Sequence, residues 1–286
     1  MRVLVTGGAG YIGRMLVTML QEAGHEVRTF DRNAGNKTDD WEHIPGDLRD
    51  IMSVRKAVQG MDAVAHLGAL PGDRRGGGDE VLSTNVQGTW NILIACQEAG
   101  VNRVVCYSSI NALGCVGGDR KVLTFPVDDT YPPHPLSPYQ LSKHLAEEVC
   151  RSYSEKHGMV TVCLRPGFVA SPDHYPRWHE WGGAEARAER EKGELWAYVD
   201  IRDVCQATLL GLTAENITHD AFLLLAEDNT LNIPTRDLVE KYHPDTPWTQ
   251  DKDAFFADNP YRSVLDCSHA KEVLGWKPQH SWRDGT

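Results

Sequence analysis

The first thirty-one residues constrain the fold more than any other stretch. Residues 2 to 6 (Arg-Val-Leu-Val-Thr) are a short apolar run of the kind that forms a buried strand, and Gly7-Gly8-Ala9-Gly10-Tyr11-Ile12-Gly13 follows directly. Apolar residues then recur at Ile12, Met15, Leu16, Met19 and Leu20, the spacing of one helix face. Gly24 predicts the helix end, because glycine readily takes the left-handed conformation that closes a helix. His25 to Phe30 reads as a second strand, and Asp31 finishes it. Strand, glycine turn, helix, strand and acid in this order make a βαβ unit. Gly7, Gly10 and Gly13 form Gly-x-x-Gly-x-x-Gly, a variant of the dinucleotide fingerprint. Glycine permits the tight turn and lets the backbone approach a pyrophosphate. The helix N-terminus adds amides and the positive end of its dipole. The pattern predicts a nucleotide site over Gly7, Gly10, Tyr11, Ile12 and Gly13.

Asp31 bears on which nucleotide. A carboxylate there accepts hydrogen bonds from ribose hydroxyls and repels a 2′-phosphate, favouring NAD over NADP. Arg32 is the counter-argument, since a guanidinium can bind a phosphate; it also suits a lid over adenine or a solvated loop.

Strand-like runs recur at residues 43–45, Ala63–Leu67, Arg103–Tyr107 and Val160–Leu164, with helices expected over Asp79–Gly100 and Tyr139–His157. Alternation of this kind predicts an α/β fold with a doubly wound parallel sheet. Ligands on such sheets bind beyond the carboxyl ends of the strands, so the loops after the strands are the informative ones. Asp47-Leu48 follows the third run; Asp47 suits either an adenine amine or a helix N-cap. Leu67, Gly68 and Ala69 offer small residues against which a cofactor can lie. Arg74 sits in a glycine-rich segment and is a candidate for the substrate. Ser108 and Ser109 follow Tyr107, and Arg165-Pro166-Gly167 follows a later strand, where Pro166 and Gly167 could abut a nicotinamide.

Tyr139 and Lys143, at i and i+4 of an expected helix, share one face. A phenol titrates near pH 10 and is a poor base at neutral pH. A neighbouring ammonium favours the phenolate and can lower that value by roughly 1–3 units. A tyrosine tuned this way can take a proton from an alcohol or return one to a carbonyl. The spacing alone is common; the glycine turn upstream gives it weight.

The net charge of −11 argues against nucleic acid and anionic membranes as partners. No apolar run reaches the length of a membrane span, and with a strand beginning at Arg2 no secretory leader is expected. The seven cysteines include no C-x-x-C pair and read as reduced core residues, pointing to the cytoplasm. The twelve histidines show no metal spacing. Asp173, His174, His179 and Glu180 have nothing elsewhere to complete a site, so no metal is expected.

Together these pieces resemble the extended short-chain dehydrogenase/reductase family, of the NAD-dependent epimerase/dehydratase type. The resemblance runs nearly end to end. Its marks are Thr6 through Gly13, Asp47-Leu48, His66 through Ala69, Asn85 through Thr89, Ser108-Ser109, Tyr139 through Lys143, Arg165 through Gly167, Tyr198 through Val204 and Leu274 through Pro278. It implies a Rossmann-type NAD-binding domain over 1–165 carrying Ser/Tyr/Lys. Residues 166–286 would then be mainly a small substrate lobe, with segments returning to the core. It implies NAD as cofactor, Tyr139 as acid/base and Ser109 as the hydroxyl that orients the reacting oxygen. Lys143 would bind the nicotinamide ribose and poise Tyr139, and Asn85 would support the polar network. It further implies a homodimer built on the two long helices.

Within the family, dehydratases place an Asp-Glu pair directly after the serine. Ile110 and Asn111 stand there instead, facing the substrate, and an isoleucine moves no proton. Epimerases commonly carry a tyrosine before the glycine of that loop, where this chain has Leu113-Gly114. Only 32 residues separate Arg165 from Tyr198, too few for the lobe with which nucleotide-sugar enzymes grip their nucleotide. This segment resembles the substrate-facing part of uronate dehydrogenases, and Arg177 falls where those enzymes hold the sugar carboxylate; it could equally pair with Asp173 or Glu180. The expectation is an NAD-dependent oxidoreductase acting on a sugar or sugar acid. The alternative is a nucleotide-sugar 4-epimerase with tightly bound NAD, which Arg262 favours as a phosphate ligand.

Overall fold

The structure is a computed structural model; it describes residues 1–33, 41–73, 77–117, 120–180 and 183–284, and the side chains of Arg177, His179 and Glu180 lie outside that set. The chain opens with β1 (Arg2–Thr6), α1 (Tyr11–Glu22), β2 (Glu26–Asp31), β3 (Glu42–Pro45), α2 (Ile51–Val58) and β4 (Ala63–His66). It continues through α3 (Gly78–Leu82), a π-helical turn (Ser83–Gln87), α4 (Gly88–Ala99), β5 (Arg103–Tyr107), α5 (Pro138–His157) and β6 (Val160–Pro166). β7 (Phe168–Ala170), α6 (Tyr175–Glu180), α7 (Ala184–Glu191), β8 (Tyr198–Asp200), α8 (Ile201–Thr213), β9 (His219–Leu224), α9 (Thr235–Tyr242), α10 (Lys252–Phe256) and α11 (Ser268–Val273) complete it.

A seven-stranded sheet has the order β3-β2-β1-β4-β5-β6-β9. Neighbours from β3 to β6 run parallel, with Thr6 opposite both Phe30 and His66. The order reverses between β1 and β4, as in a doubly wound Rossmann-type sheet. The continuous apolar strands follow from burial on both faces: Val3, Leu4 and Val5 are fully buried, and so is Val64.

The chain divides into two compact units. The first comprises residues 1–108, 137–164 and 205–221. Its core includes Leu4, Phe30, Val54, Val64, Ile92, Val104 and Cys163. A fully buried aliphatic or aromatic side chain of this size contributes about 1.5–3 kcal/mol. Here α5 begins one residue earlier than expected, because Pro138 suits the first helical position. A reciprocal capping box between Ser137 and Gln140 fixes that start, and Gly158 closes the helix at φ 68°. The helix expected over Asp79–Gly100 is interrupted by the π-helical turn, a feature often found at functional sites.

The second unit comprises residues 109–136, 165–204 and 222–286. It holds the two-stranded β7–β8 sheet and a cluster of Ala170, Tyr198, Ala226 and Trp282, with Tyr175 and Trp178 packed against it. The C-terminal tail is latched there. Tyr198 Oη and Ser281 Oγ donate to the two carboxylate oxygens of Asp228, at 2.7 and 2.8 Å. Trp282 Nε1 donates to Asn229 O at 2.8 Å. The Arg283 guanidinium stacks on Tyr261 and Trp282, 4.2 and 4.5 Å from the ring centres. All seven cysteines are buried and free. Among the described residues no helix is long and apolar enough to cross a membrane.

Candidate active site

In the first unit the candidate residues gather at the carboxyl ends of β1, β2, β4 and β5. Gly7 lies at the point where the strand order reverses. A Cβ on Gly7 would come within 2.9 Å of Gly68 N, and one on Gly13 within 2.2 Å of Gly7 O. Only glycine permits this approach of the two loops. Gly10 opens α1 with no side-chain cap on the first amides, so the turn presents bare backbone to a ligand. Tyr11 stands half exposed beside it.

A buried run of hydrogen bonds braces this turn. Gly68 N donates to Thr6 Oγ1 at 3.0 Å, and Thr6 Oγ1 lies 2.7 Å from His66 Nδ1. His66 Nε2 lies 3.1 Å from Thr89 Oγ1, which donates to Asn85 O at 2.6 Å. These partners assign the proton to Nε2, with Nδ1 accepting from Thr6. Burial pushes the imidazole below its ordinary value, which matches a neutral ring. Thr6, His66 and Thr89 therefore tie the glycine turn to the π-helical turn. Their spacing in sequence gives no hint of it.

Asn85 uses its whole amide as a bracket. Its Oδ1 accepts from Leu70 N at 2.8 Å, and its Nδ2 donates to Leu70 O and to Ser142 Oγ at 3.1 and 2.9 Å. Ser142 Oγ donates in turn to Tyr139 O at 2.8 Å. Lys143 is buried, and its Nζ donates to Tyr107 O at 2.7 Å. That ammonium also sits 5.9 Å from the centre of the half-buried Tyr139 ring. The first turn of α5 is held from outside as well, with Tyr139 N donating to Asp73 Oδ1 at 2.7 Å.

Asp31 ends β2 half-buried, accepting from Asn33 N at 3.1 Å, and Arg32 is exposed beside it. Asp47 differs from one of its two expected roles. The N-cap of α2 is Asp50, which accepts from Met52 N at 3.0 Å. Asp47 instead turns onto Arg49, accepting from its backbone and guanidinium at 2.9, 3.0 and 2.6 Å. The Arg49 hydrogen bonds hold that carboxyl below the ordinary range. Leu48 packs against Gly68 and Gly88, where a Cβ on either would meet it at 2.9 Å.

The second unit holds the remaining candidates. Ser109 is buried with extended backbone, and its Oγ accepts from Asn111 N and Nδ2 at 3.2 and 3.3 Å. Both contacts use oxygen lone pairs, which leaves the hydroxyl proton to donate. Ile110 is buried, and Pro166-Gly167 packs so closely that a Cβ on Gly167 would meet Leu225 at 2.4 Å. Arg262 lines a cavity of about 220 Å³ with Leu225, Glu227, Asn259, Cys267 and Lys271. Its guanidinium stacks 4.4 Å from the Phe255 ring centre, and Lys271 pairs with Glu227 at 2.7 Å. Arg74 and the Arg177 side chain lie outside the described residues.

Residues 3–222 match the profile described as the NAD dependent epimerase/dehydratase family. The chain belongs to that family. The glycine turn fits the cofactor in the family's description, because its bare backbone leaves room for a dinucleotide phosphate. A 3-beta-hydroxysteroid dehydrogenase of Mycolicibacterium neoaurum is 35% identical over 180 residues, covering 59% of this chain and 47% of that protein. This chain thus spans about half the length of that relative. A uronate dehydrogenase of Pseudomonas syringae pv. tomato is 32% identical over 168 residues, covering 58% of each. The solved UDP-glucose 4-epimerase of Thermotoga maritima, with UDP-glucose, is 26% identical at a TM-score of 0.71, covering 100% of this chain and 96% of that one.

Proposed function

We propose that this member of the family is an NAD-dependent oxidoreductase that removes a hydride from a hydroxyl-bearing carbon of a sugar or sugar acid, of the uronate type. The observation that carries the reading is the buried Lys143 ammonium, anchored on Tyr107 O and facing the Tyr139 ring. In this reading Tyr139 takes the hydroxyl proton, while the Ser109 hydroxyl keeps its own proton and donates a hydrogen bond that orients the reacting oxygen. Lys143 supports the phenolate and the nicotinamide ribose, while Asn85 keeps α5 in place through Ser142. Bound NAD supplies the hydride acceptor. Most of the rate then comes from alignment and from a base held ready.

Asp31 receives the adenosine ribose and favours NAD over NADP, while Gly7, Gly10, Gly13, Gly68 and Ala69 line the cofactor's path. The short segment between Arg165 and Tyr198, Ile110 and Asn111 after Ser109, and the likeness to a uronate dehydrogenase support a compact, carboxylate-bearing substrate. Arg177 and Arg74 are its proposed ligands. A homodimer through α4 and α5 is part of the reading, supported by Trp90 and Leu141, which expose 44% and 37% of their surface on those helices. The cytoplasm is the proposed location.

The second reading is a nucleotide-sugar 4-epimerase. It is favoured by the full-length likeness to a UDP-glucose 4-epimerase and by Arg262 in its cavity. Purified protein mixed with NAD and a panel of uronic acids, free sugars, UDP-sugars and a hydroxysteroid, followed at 340 nm, separates the readings. Steady NADH formation with a uronic acid or sugar is expected. Exchange between UDP-sugar isomers without NADH would replace the first reading with the second. NADH from the steroid alone would refute both.

A further inference from the structure

Tyr139, Lys143 and Glu147 follow one another at i, i+4 and i+8 along α5 and so share a face. Lys143 and Glu147 each grip one of two consecutive residues at the end of β5. Lys143 Nζ donates to Tyr107 O at 2.7 Å, and Ser108 Oγ donates to Glu147 Oε1 at 2.5 Å. Only 5% of Glu147 and 4% of Ser108 are exposed. His219 of β9 and the Cys163 thiol of β6 also lie near the carboxylate.

A carboxylate is a poor choice for stability at such a place. Its desolvation costs several kcal/mol, and an apolar side chain of similar size often serves stability equally well or better. A short hydrogen bond to a charged acceptor is, however, a strong and directional tether. Ser108 precedes Ser109 in the chain, so whatever holds Ser108 holds the backbone from which the Ser109 hydroxyl projects.

We propose that Glu147 is a positioning residue: by accepting the Ser108 hydroxyl, it fixes the end of β5 against the helix that carries Tyr139 and Lys143. The proposal rests on the reading of Ser109, Tyr139 and Lys143 given above. Glu147 does not itself touch the reacting atoms.

The test compares Glu147→Leu, Glu147→Gln, Ser108→Ala and the Glu147→Leu/Ser108→Ala double variant. Four readouts are taken: the rate of NADH formation, KM for NAD, Tm, and hydrogen exchange at the amides of residues 108–110. Glu147→Leu should lower kcat by roughly tenfold to a hundredfold, the scale of a small misplacement of reacting groups. KM for NAD should stay within about twofold and Tm should hold or rise, because an apolar side chain of similar size replaces a buried carboxylate. Exchange at 108–110 should accelerate. Glu147→Gln should recover most of the rate. The double variant should lose no more than the worse single variant, since both remove one bond.

A kcat loss that tracks a fall in Tm, additive losses in the double variant, or unchanged exchange at 108–110 each overturns the proposal. Should the native chain transfer no hydride to any compound in the panel, the functional reading fails by itself. Exchange at 108–110 in Glu147→Leu then decides the positioning role alone, faster exchange upholding it and unchanged exchange refuting it.

Discussion

In the first unit the buried His66 is held neutral, since burial lowers its pKa and each ring nitrogen meets a threonine hydroxyl. In the second unit the buried carboxyl of Asp129 is pushed up to about 7 by burial, which outweighs its Arg165 partner at 3.1 Å. Burial likewise raises Glu194 and Asp228 there. Two carboxyls there stay low: at Asp200 burial pushes up but hydrogen bonds from Arg202 and Tyr175 prevail, and hydrogen bonds from Lys252 and Arg236 lower the exposed Glu240. In the first unit the carboxyls of Asp47, Asp62, Glu98 and Glu148 move down beside arginines, and Asp50 moves down through its hydrogen bonds from Ser53 and Met52. The first unit thus holds a fully buried histidine whose pKa is depressed, and the second holds three buried acids, Asp129, Glu194 and Asp228, whose pKa burial raises. The difference is a matter of linkage. A histidine with a depressed pKa weakens its unit as pH falls below 6.5, where the unfolded chain binds the proton more readily. An acid with a raised pKa strengthens its unit as pH falls from about 7 towards 4, where the folded chain holds the extra proton.

The comparison can be broken in four ways. The largest effect is expected from Tyr139→Phe, which removes the proposed acid/base and should slow NADH formation by about 10²–10⁴-fold. NAD affinity and the pH response of both units should be unchanged; an active variant would remove the chemistry from the first unit. Trp282→Ala should cost about 3–5 kcal/mol, through the cavity it leaves in the tail latch. Hydrogen exchange should localise that loss to the second unit, and an equal loss of protection around β1 and β4 would refute the localisation.

The third effect is the pH response. For native protein, stability of the second unit should fall as pH rises from about 4 to 7, at most about 1.4 kcal/mol per unit for a single group. Asp129→Asn should flatten that slope, while the first unit keeps its opposite slope below 6.5. Melting curves and site-resolved exchange across this range measure both, and parallel slopes in the two units would contradict the assignment. The smallest effect is expected from Arg55→Ala. Its pair with Glu98 is solvent-exposed and screened, so Tm should not move measurably.

Much of the first unit was legible in the chain because its signals are local. The glycine turn and the strand end at Asp31 each rest on conformational preferences within a few residues and lie where those preferences place them; the helix expected from Tyr139 starts one residue earlier, at Pro138. The break in the Asp79–Gly100 helix was not legible. Within it Asn85 reaches Leu70 and Ser142, partners distant in sequence. Asp47 lost the capping role to Asp50 because both acids suit a helix start and only the realised turn decides between them. Glu147 could have been noticed by its helical spacing from Lys143, but nothing in sequence marks it as buried or as the partner of Ser108.

Residue by residue, the sequence determined a βαβ opening with side-chain-free glycines, an apolar parallel sheet, and Tyr139 and Lys143 on one helix face. These follow from steric allowance and periodicity, which act over a turn or a strand. The tertiary structure alone decided that Thr6, His66, Thr89 and Asn85 form one buried hydrogen-bonded run, and that the last residue of β5 and the residue after it are held by consecutive turns of α5. Folding also chose which buried groups carry charge. Hydrogen bonding and desolvation between distant segments depend on three-dimensional proximity, and no spacing along the chain encodes that.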